Sequence, residues 1–235
     1  MRRIAATLAV VGALLFSAGS AWADWDDGVA ALGRGDYATA FREFLPYAEQ
    51  GYATAQYNIG RMYDEGEGVP ENDAEAVKWY LKAAEQGDAP AQSSLGNMYA
   101  YGWGVPENDT KAVKWWHKTA EQGQADAQAQ LGFMYDEGYG VPENDAEAVK
   151  WYSKAAEQGN ADAQYNLGLM YINGDGVPRN IPKAYRWWSY AKAQGSKEAA
   201  ESLDKIEKIL TPAEIDVLRT LVEMWKTYDE NTPPY

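Results

Sequence analysis

The sequence predicts an all-α fold, a solenoid of helix pairs stacked into an α/α superhelix, and three observations carry that expectation. The first is a repeat: EGEGVPEND from Glu65, YGWGVPEND from Tyr101, EGYGVPEND from Glu137 and NGDGVPRNI from Asn173 follow one another at a period of 36 residues. The second is helical periodicity on both sides of that loop. Ala55, Ile59, Met62 and Tyr63 share one face before it, and Ala76, Trp79, Tyr80 and Ala83 share one after it. The third is that neither helix can bury its stripe alone, whereas pairs stacked side by side bury a continuous one.

The chain opens MRRIAATLAVVGALLFSAGSAWADW. Arg2 and Arg3, an apolar run from Ile4 to Phe16 and the small-residue ending Ala21-Trp22-Ala23 make residues 1–23 a secretory signal peptide. The run is too short to be a permanent membrane span. The mature chain is expected to be exported and not inserted in the membrane. With no cysteine in the sequence, neither a lipid anchor nor a disulfide is expected.

Residues 24–51 read as a shortened unit whose loop is cut down to Arg34-Gly35-Asp36. Four full units follow as blocks 52–87, 88–123, 124–159 and 160–195, and residues 196–235 read as a capping segment with a Pro-containing tail. In each full unit, a first helix, over Ala53 to Asp64 in the first block, precedes the loop and a second follows it. Gly60, Gly96, Gly132 and Gly168 fall inside the first helix, where glycine costs about 1 kcal/mol relative to alanine. The expected compensation is close approach of a neighbouring helix or of a ring, with Trp79, Trp115, Trp151 and Trp187 as the candidates.

The loop invites a phosphate or calcium reading, and its four copies decide against both. Its acids change from copy to copy while Gly, Gly, Val, Pro and Asn stay fixed, so geometry recurs and ligands do not. Gly66 suits the left-handed end of the first helix and Pro70 forbids its continuation. Asn72 and Asn144 are placed to cap the second helix, with Glu75 and Glu147 completing a capping box.

Charge excludes several partners. Against 35 acidic residues the chain has 21 basic ones, and loss of Arg2 and Arg3 with the leader takes the formal charge from −14 to −16. Phosphate backbones and anionic lipid surfaces would be repelled, so no nucleic acid is expected. One histidine, His117, and no cysteine leave the usual zinc ligands missing, and neither metal nor cofactor is expected. Ser189 to Lys192 and Ser202 to Lys205 have the Ser-x-x-Lys spacing of penicillin-recognising enzymes. No Ser-Asp-Asn or Lys-Thr-Gly accompanies them, so no catalytic residue is expected.

The pattern A-x-AQ-x-x-LG-x-MY-x-x-G-x-GVP-x-N-x-x-x-A-x-x-W[YW]-x-K-x-A-EQG, cleanest from Ala125 to Gly159, resembles the Sel1-like repeat, a relative of the tetratricopeptide repeat. The resemblance covers residues 24–195, and LTPAEI, Leu210 to Ile215, is similar to the terminal segment of some bacterial members. It implies a right-handed superhelix whose role is protein–protein recognition. A cysteine-rich branch of the family is associated with penicillin binding and β-lactamase activity, and this chain lacks that branch's helix-linking cysteine pairs. The reading is therefore a monomeric, non-catalytic module of the bacterial envelope that binds a protein or peptide. It is placed in the periplasm, with secretion to bind a host protein, or an envelope enzyme or sensor for peptidoglycan or β-lactams, as alternatives.

The resemblance puts the first helix of each unit on the concave side. There, positions 57, 58, 61, 64 and 65 lie opposite the core stripe and vary between units, for example Arg61, Asn97, Phe133 and Leu169. Tyr101, Phe133, Tyr165, Leu169 and Ile172 are costly to leave in water, and Trp103 and Tyr139 stand between loop glycines at the rim. The candidate partner-binding set is thus Arg61, Asn97, Tyr101, Trp103, Phe133, Tyr139, Tyr165, Leu169 and Ile172. Mass spectrometry of the exported protein should find Asp24 as its first residue, and an intact Met1 on protein recovered from the envelope would refute the leader.

Overall fold

The computed structural model describes residues 18–231, with side chains over 25–227. Most of the expected leader, residues 1–17, and residues 232–235 of the tail lie outside the described residues. Twelve helices and no strands occur among the described residues. A shortened pair, α1 (Ala18–Gly33) and α2 (Tyr37–Glu49), leads four full pairs: α3 (Ala53–Asp64) with α4 (Asp73–Glu85), α5 (Ala89–Tyr101) with α6 (Asp109–Glu121), α7 (Ala125–Glu137) with α8 (Asp145–Glu157), and α9 (Ala161–Asn173) with α10 (Ile181–Ala193). Then come α11 (Lys197–Glu207) and α12 (Pro212–Asn231).

Within a pair the helices run antiparallel, and the turn is built as the fixed residues require. Gly102, Gly138 and Gly174 take left-handed conformations (φ 72°, 71° and 94°) and close their helices. Asn72, Asn108, Asn144 and Asn180 then cap the second helices by accepting from the backbone N–H three residues on. The capping box is only half formed. Asn72 gives its own N–H to the Tyr63 carbonyl, 2.8 Å away, leaving no donor for Glu75, whose carboxylate pairs with Lys78 instead.

The glycine inside each first helix lies under a ring, as expected in kind, but the ring is one residue further on than the tryptophans named above. A Cβ at Gly60 would stand 2.6 Å from Tyr80, at Gly96 2.3 Å from Trp116, at Gly132 2.5 Å from Tyr152 and at Gly168 2.3 Å from Trp188. Trp79, Trp115, Trp151 and Trp187 turn a further 100° away and pack elsewhere, Trp79 against the core of the shortened pair and Trp151 within the cluster that runs from α4 to α8.

Neighbouring pairs are tied by two recurrent contacts. Gln56, Gln92, Gln128 and Gln164 are buried, and each donates its Nε2 to the carbonyl of Ala48, Ala84, Ala120 or Ala156 in the last turn of the preceding helix, at 3.0–3.1 Å. Each then accepts, through Oε1, from Gln86, Gln122, Gln158 or Gln194 at the end of its own pair, at 2.7–2.8 Å. The second loop glycine makes the other contact: a Cβ at Gly104 would meet the Asp73 backbone at 2.4 Å, so each loop rests directly on the start of the preceding pair's second helix. Gly68, Gly140 and Gly176 sit likewise on Tyr37, Asp109 and Asp145.

The units alternate. In the first and third, the ring over the glycine is a tyrosine whose hydroxyl donates to a carboxylate, Tyr80 to Asp64 at 3.0 Å and Tyr152 to Asp136 at 3.5 Å. In the second and fourth it is Trp116 or Trp188, and the carboxylate position holds Ala100 or Ile172. Burial raises the Asp64 and Asp136 carboxyls above the usual carboxylate range, and burial beside those carboxylates raises the two phenols.

Two outcomes follow for stability. Gly132→Leu must displace a fully buried ring and should lose about 1–3 kcal/mol in denaturant unfolding, whereas Gln130→Leu on the half-exposed side should stay within about 0.5. The two carboxyls hold their protons more tightly folded than unfolded, so each adds stability in acid that is lost as pH rises through its raised folded value. The melting temperature of Asp64→Asn/Asp136→Asn relative to the parent should therefore be highest at neutral pH and fall as pH drops toward about 4, near the ordinary carboxylate value. A constant difference would contradict the assignment.

Candidate functional site

The outward row of each first helix repeats every turn: residues 57 and 61 on α3 with 65 at its cap, 93, 97 and 101 on α5, 129, 133 and 137 on α7, and 165, 169 and 173 on α9. The same row carries different chemistry in each unit. In the first, Arg61 is held between Glu65 at 2.7 Å and Glu67 at 2.8 Å. In the second, Asn97 is half-buried, and Tyr101 meets Trp103 with ring centroids 4.8 Å apart. In the third, Phe133 meets Tyr139 at 5.8 Å.

These four rings are exposed, Tyr101 by 57%, Trp103 by 49%, Phe133 by 40% and Tyr139 by 48%, where the other described aromatic rings, Tyr52 apart, are buried or half-buried. They are also held. The N–H of Trp103 donates to the Met98 carbonyl and that of Tyr139 to the Met134 carbonyl, both at 3.0 Å, so each loop ring stands on backbone pinned across the end of its helix. Glu107 and Glu143 lie against Gly102 and Gly138, the glycines preceding Trp103 and Tyr139. At the other end of α5, small residues leave a cleft of about 280 Å³ lined by Tyr57, Pro90, Ser93, Ser94 and Asp126.

The remaining expected site residues lie elsewhere. Tyr165, Leu169 and Ile172 are half-buried and pack against the cluster formed by α10, α11 and α12, so the chain's own C-terminal helices cover that stretch of the row. Tyr57 and Asp64, expected to face solvent, are also engaged: Tyr57 packs against the core of the next unit with its ring 5.8 Å from Tyr80, and Asp64 accepts from Tyr80. A helix in a stack has a neighbour on its flank, and the single-helix view that made these positions free omitted it. The residues missed were Glu107 and Glu143, whose signal is a fixed spacing of four from Trp103 and Tyr139.

The residues weighed for catalysis and metal binding have local partners. Ser189 donates its hydroxyl to the Tyr185 carbonyl of its own helix at 2.7 Å, and Lys192 is exposed. His117 lies 3.4 Å from the Glu121 carboxylate and edge-on to Trp151. Among the described residues no group of three His, Cys, Asp or Glu could hold a metal ion, and no helix is long and apolar enough to cross a membrane.

Comparison with protein families matches the Sel1 repeat to residues 53–88, 89–124, 125–160 and 161–196. Among solved structures, a protective antigen of uropathogenic Escherichia coli displaying an SLR fold is similar with a TM-score of 0.78 and 35% identity over 88% of this chain and 46% of that one. A Sel1 repeat protein from Oxalobacter formigenes is similar with a TM-score of 0.72 and 38% identity over 76% of this chain and 74% of that one. A 43-residue stretch, 18% of the chain, is 44% identical to DAP3-binding cell death enhancer 1 of Rattus norvegicus. That match spans 8% of the rat protein, and the chain spans under half of the Escherichia coli antigen.

Proposed function

The chain belongs to the Sel1 repeat family, and on that premise we propose that it is an exported, non-catalytic interaction module of the bacterial envelope that recognises a protein or peptide on the concave side of its second and third full repeats. Sel1 repeat proteins are generally protein-interaction modules. The observation that carries the site is the pair of exposed ring clusters, Tyr101 with Trp103 and Phe133 with Tyr139, on adjacent repeats, with Trp103 and Tyr139 at equivalent loop positions. Aromatic side chains dominate the energetics of recognition sites, and rings on pinned backbone lose little freedom when a partner covers them.

Arg61 and Asn97 flank the ring clusters and set the edge of the proposed surface. Tyr165, Leu169 and Ile172 contribute to it only as the wall formed with the C-terminal helices. Export rests on the leader read in residues 1–23. The likeness to an Escherichia coli protective antigen supports an envelope or surface setting, and the leader, which reports export across one membrane, is read as delivery to the periplasm.

The test is capture from an envelope extract by the immobilised mature protein, followed by affinity measurement with the captured partner. Trp103→Ala, Phe133→Ala and Tyr139→Ala should each weaken binding by more than about 1 kcal/mol. Lys78→Ala and Lys150→Ala, whose ammonium groups pair with Glu75 and Glu147 on the second helices, should leave it nearly unchanged. Dependence on the lysines and indifference to the rings would overturn the site.

A further inference from the structure

We propose that the segment recognised at this surface is cationic: an extended peptide carrying two arginine or lysine side chains roughly three residues apart, one charged head stacked on the Tyr101–Trp103 pair and the other on the Phe133–Tyr139 pair. This rests on the concave-face reading and adds the chemistry of the partner.

The first support is the way charge is sorted within a repeat. Residues 88–110 and 124–146, the first helix and loop of the second and third full repeats, contain no lysine or arginine, whereas Lys111, Lys114, Lys118, Lys150 and Lys154 all stand on the second helices. On this reading the concave side presents rings and acids without a basic residue, with Glu107 and Glu143 against the glycines that precede the loop rings and Glu137 on the same row as Tyr101. An excess of one sign on a concave wall raises the local concentration of the opposite charge.

The second support is what the chain does with the tryptophans of its second helices. Lys82 stacks on Trp79 at 3.7 Å, Lys118 on Trp115 at 4.3 Å and Lys154 on Trp151 at 4.3 Å, so tryptophans of the second helices receive a cation from the next turn. Among the described residues no lysine or arginine is stacked on Tyr101, Trp103, Phe133 or Tyr139. Their faces are electron-rich, exposed and flanked by acid, and a cation from outside the chain fits them. The first repeat holds a cation at the same row: Arg61 occupies the position of Phe133, clasped by the carboxylates of Glu65 and Glu67.

The spacing follows from the stack. Packed helices lie about 8–10 Å apart, and an extended chain advances about 3.3 Å per residue, so side chains about three residues apart reach equivalent points on neighbouring repeats. Two such points on one line select a peptide over a single free amine.

The experiment uses fluorescein-labelled alanine–glycine dodecapeptides carrying Arg at positions 5 and 8, or Gln at both, or Glu at both, and reads anisotropy against the mature protein in low salt. The Arg peptide should bind roughly 4- to 25-fold more tightly than the Gln peptide, as two exposed cation–π contacts of about 2- to 5-fold each predict. Trp103→Leu and Tyr139→Leu, which leave net charge unchanged, should each weaken the Arg peptide about 2- to 5-fold, and Trp103→Phe should retain most of the binding. Unchanged melting curves would show that these exposed substitutions leave the fold intact. Equal binding of the Arg peptide by the Leu variants would reduce the attraction to net charge and overturn the proposal. Ring-dependent binding of the Gln or Glu peptide at equal or greater strength would overturn it while leaving the concave-face reading in place. That reading fails separately, if capture of a native partner ignores the rings.

Discussion

A buried amide sets the register of the whole stack. The last carbonyls of a helix have no partner within it, and here each repeat hands one of them to the following repeat's glutamine. The same side chain must also accept a hydrogen bond at its other end, from Gln122, Gln158 or Gln194. Glutamate in that position would supply no donor and leucine would supply neither group, so the hydrogen bond that joins one repeat to the next would be lost, at a cost of about 0.5–1.5 kcal/mol. The AQ of one helix and the EQG of the next are thus two halves of one device, and because it recurs unchanged, equivalent residues of successive repeats come to equivalent places. Trp103 and Tyr139, the loop rings of the second and third repeats, align for that reason.

Much of this was legible from residues alone. The 36-residue period, α3 over Ala53–Asp64 and the loop as a turn with left-handed glycines all follow from spacing and from the positions that do not change. The glycine within each first helix announced a close approach, but not which of two adjacent rings makes it: Trp79 and Tyr80 differ by 100° around the helix, and the direction in which each leaves the backbone decides. Position 57 and position 64 were misplaced for another reason. A helical wheel knows one buried face, and a solenoid helix has a second, against the next repeat. The cover over Tyr165, Leu169 and Ile172 comes from helices outside the periodic part of the chain, where no repeat informs the reading. The Tyr–Asp and Trp–apolar alternation was present in the sequence as two positions varying in phase, 64 with 80 through 172 with 188.

Sorting of function between the two helices follows from the same geometry. The second helices carry the lysines of the full repeats, several of them close to a carboxylate or a tryptophan of their own helix. The first helices give one flank to the preceding repeat and one to the next, leaving a narrow row and the loop above it as the part of the first helix that changes between repeats. Substitution there alters surface chemistry and leaves the stack intact. Charge pairs, aromatic pairs and a small polar cleft can therefore occupy the same row in one molecule.

The resting of each loop on the preceding repeat has a consequence for assembly. Gly68, Gly104, Gly140 and Gly176 land on Tyr37, Asp73, Asp109 and Asp145, and the next landing place would be Ile181, at the start of α10. There the sequence changes to Ile181-Pro182, and no described glycine loop follows; Leu210, Val217 and Leu221 line an apolar cleft beside it. A rod of near-identical units with open, matching ends is a seed for head-to-tail polymerisation, since nothing in such a contact closes on itself. By making its final platform, Ile181-Pro182, unlike the four before it, the chain ends the series in its own sequence, and the length of the stack is written rather than grown.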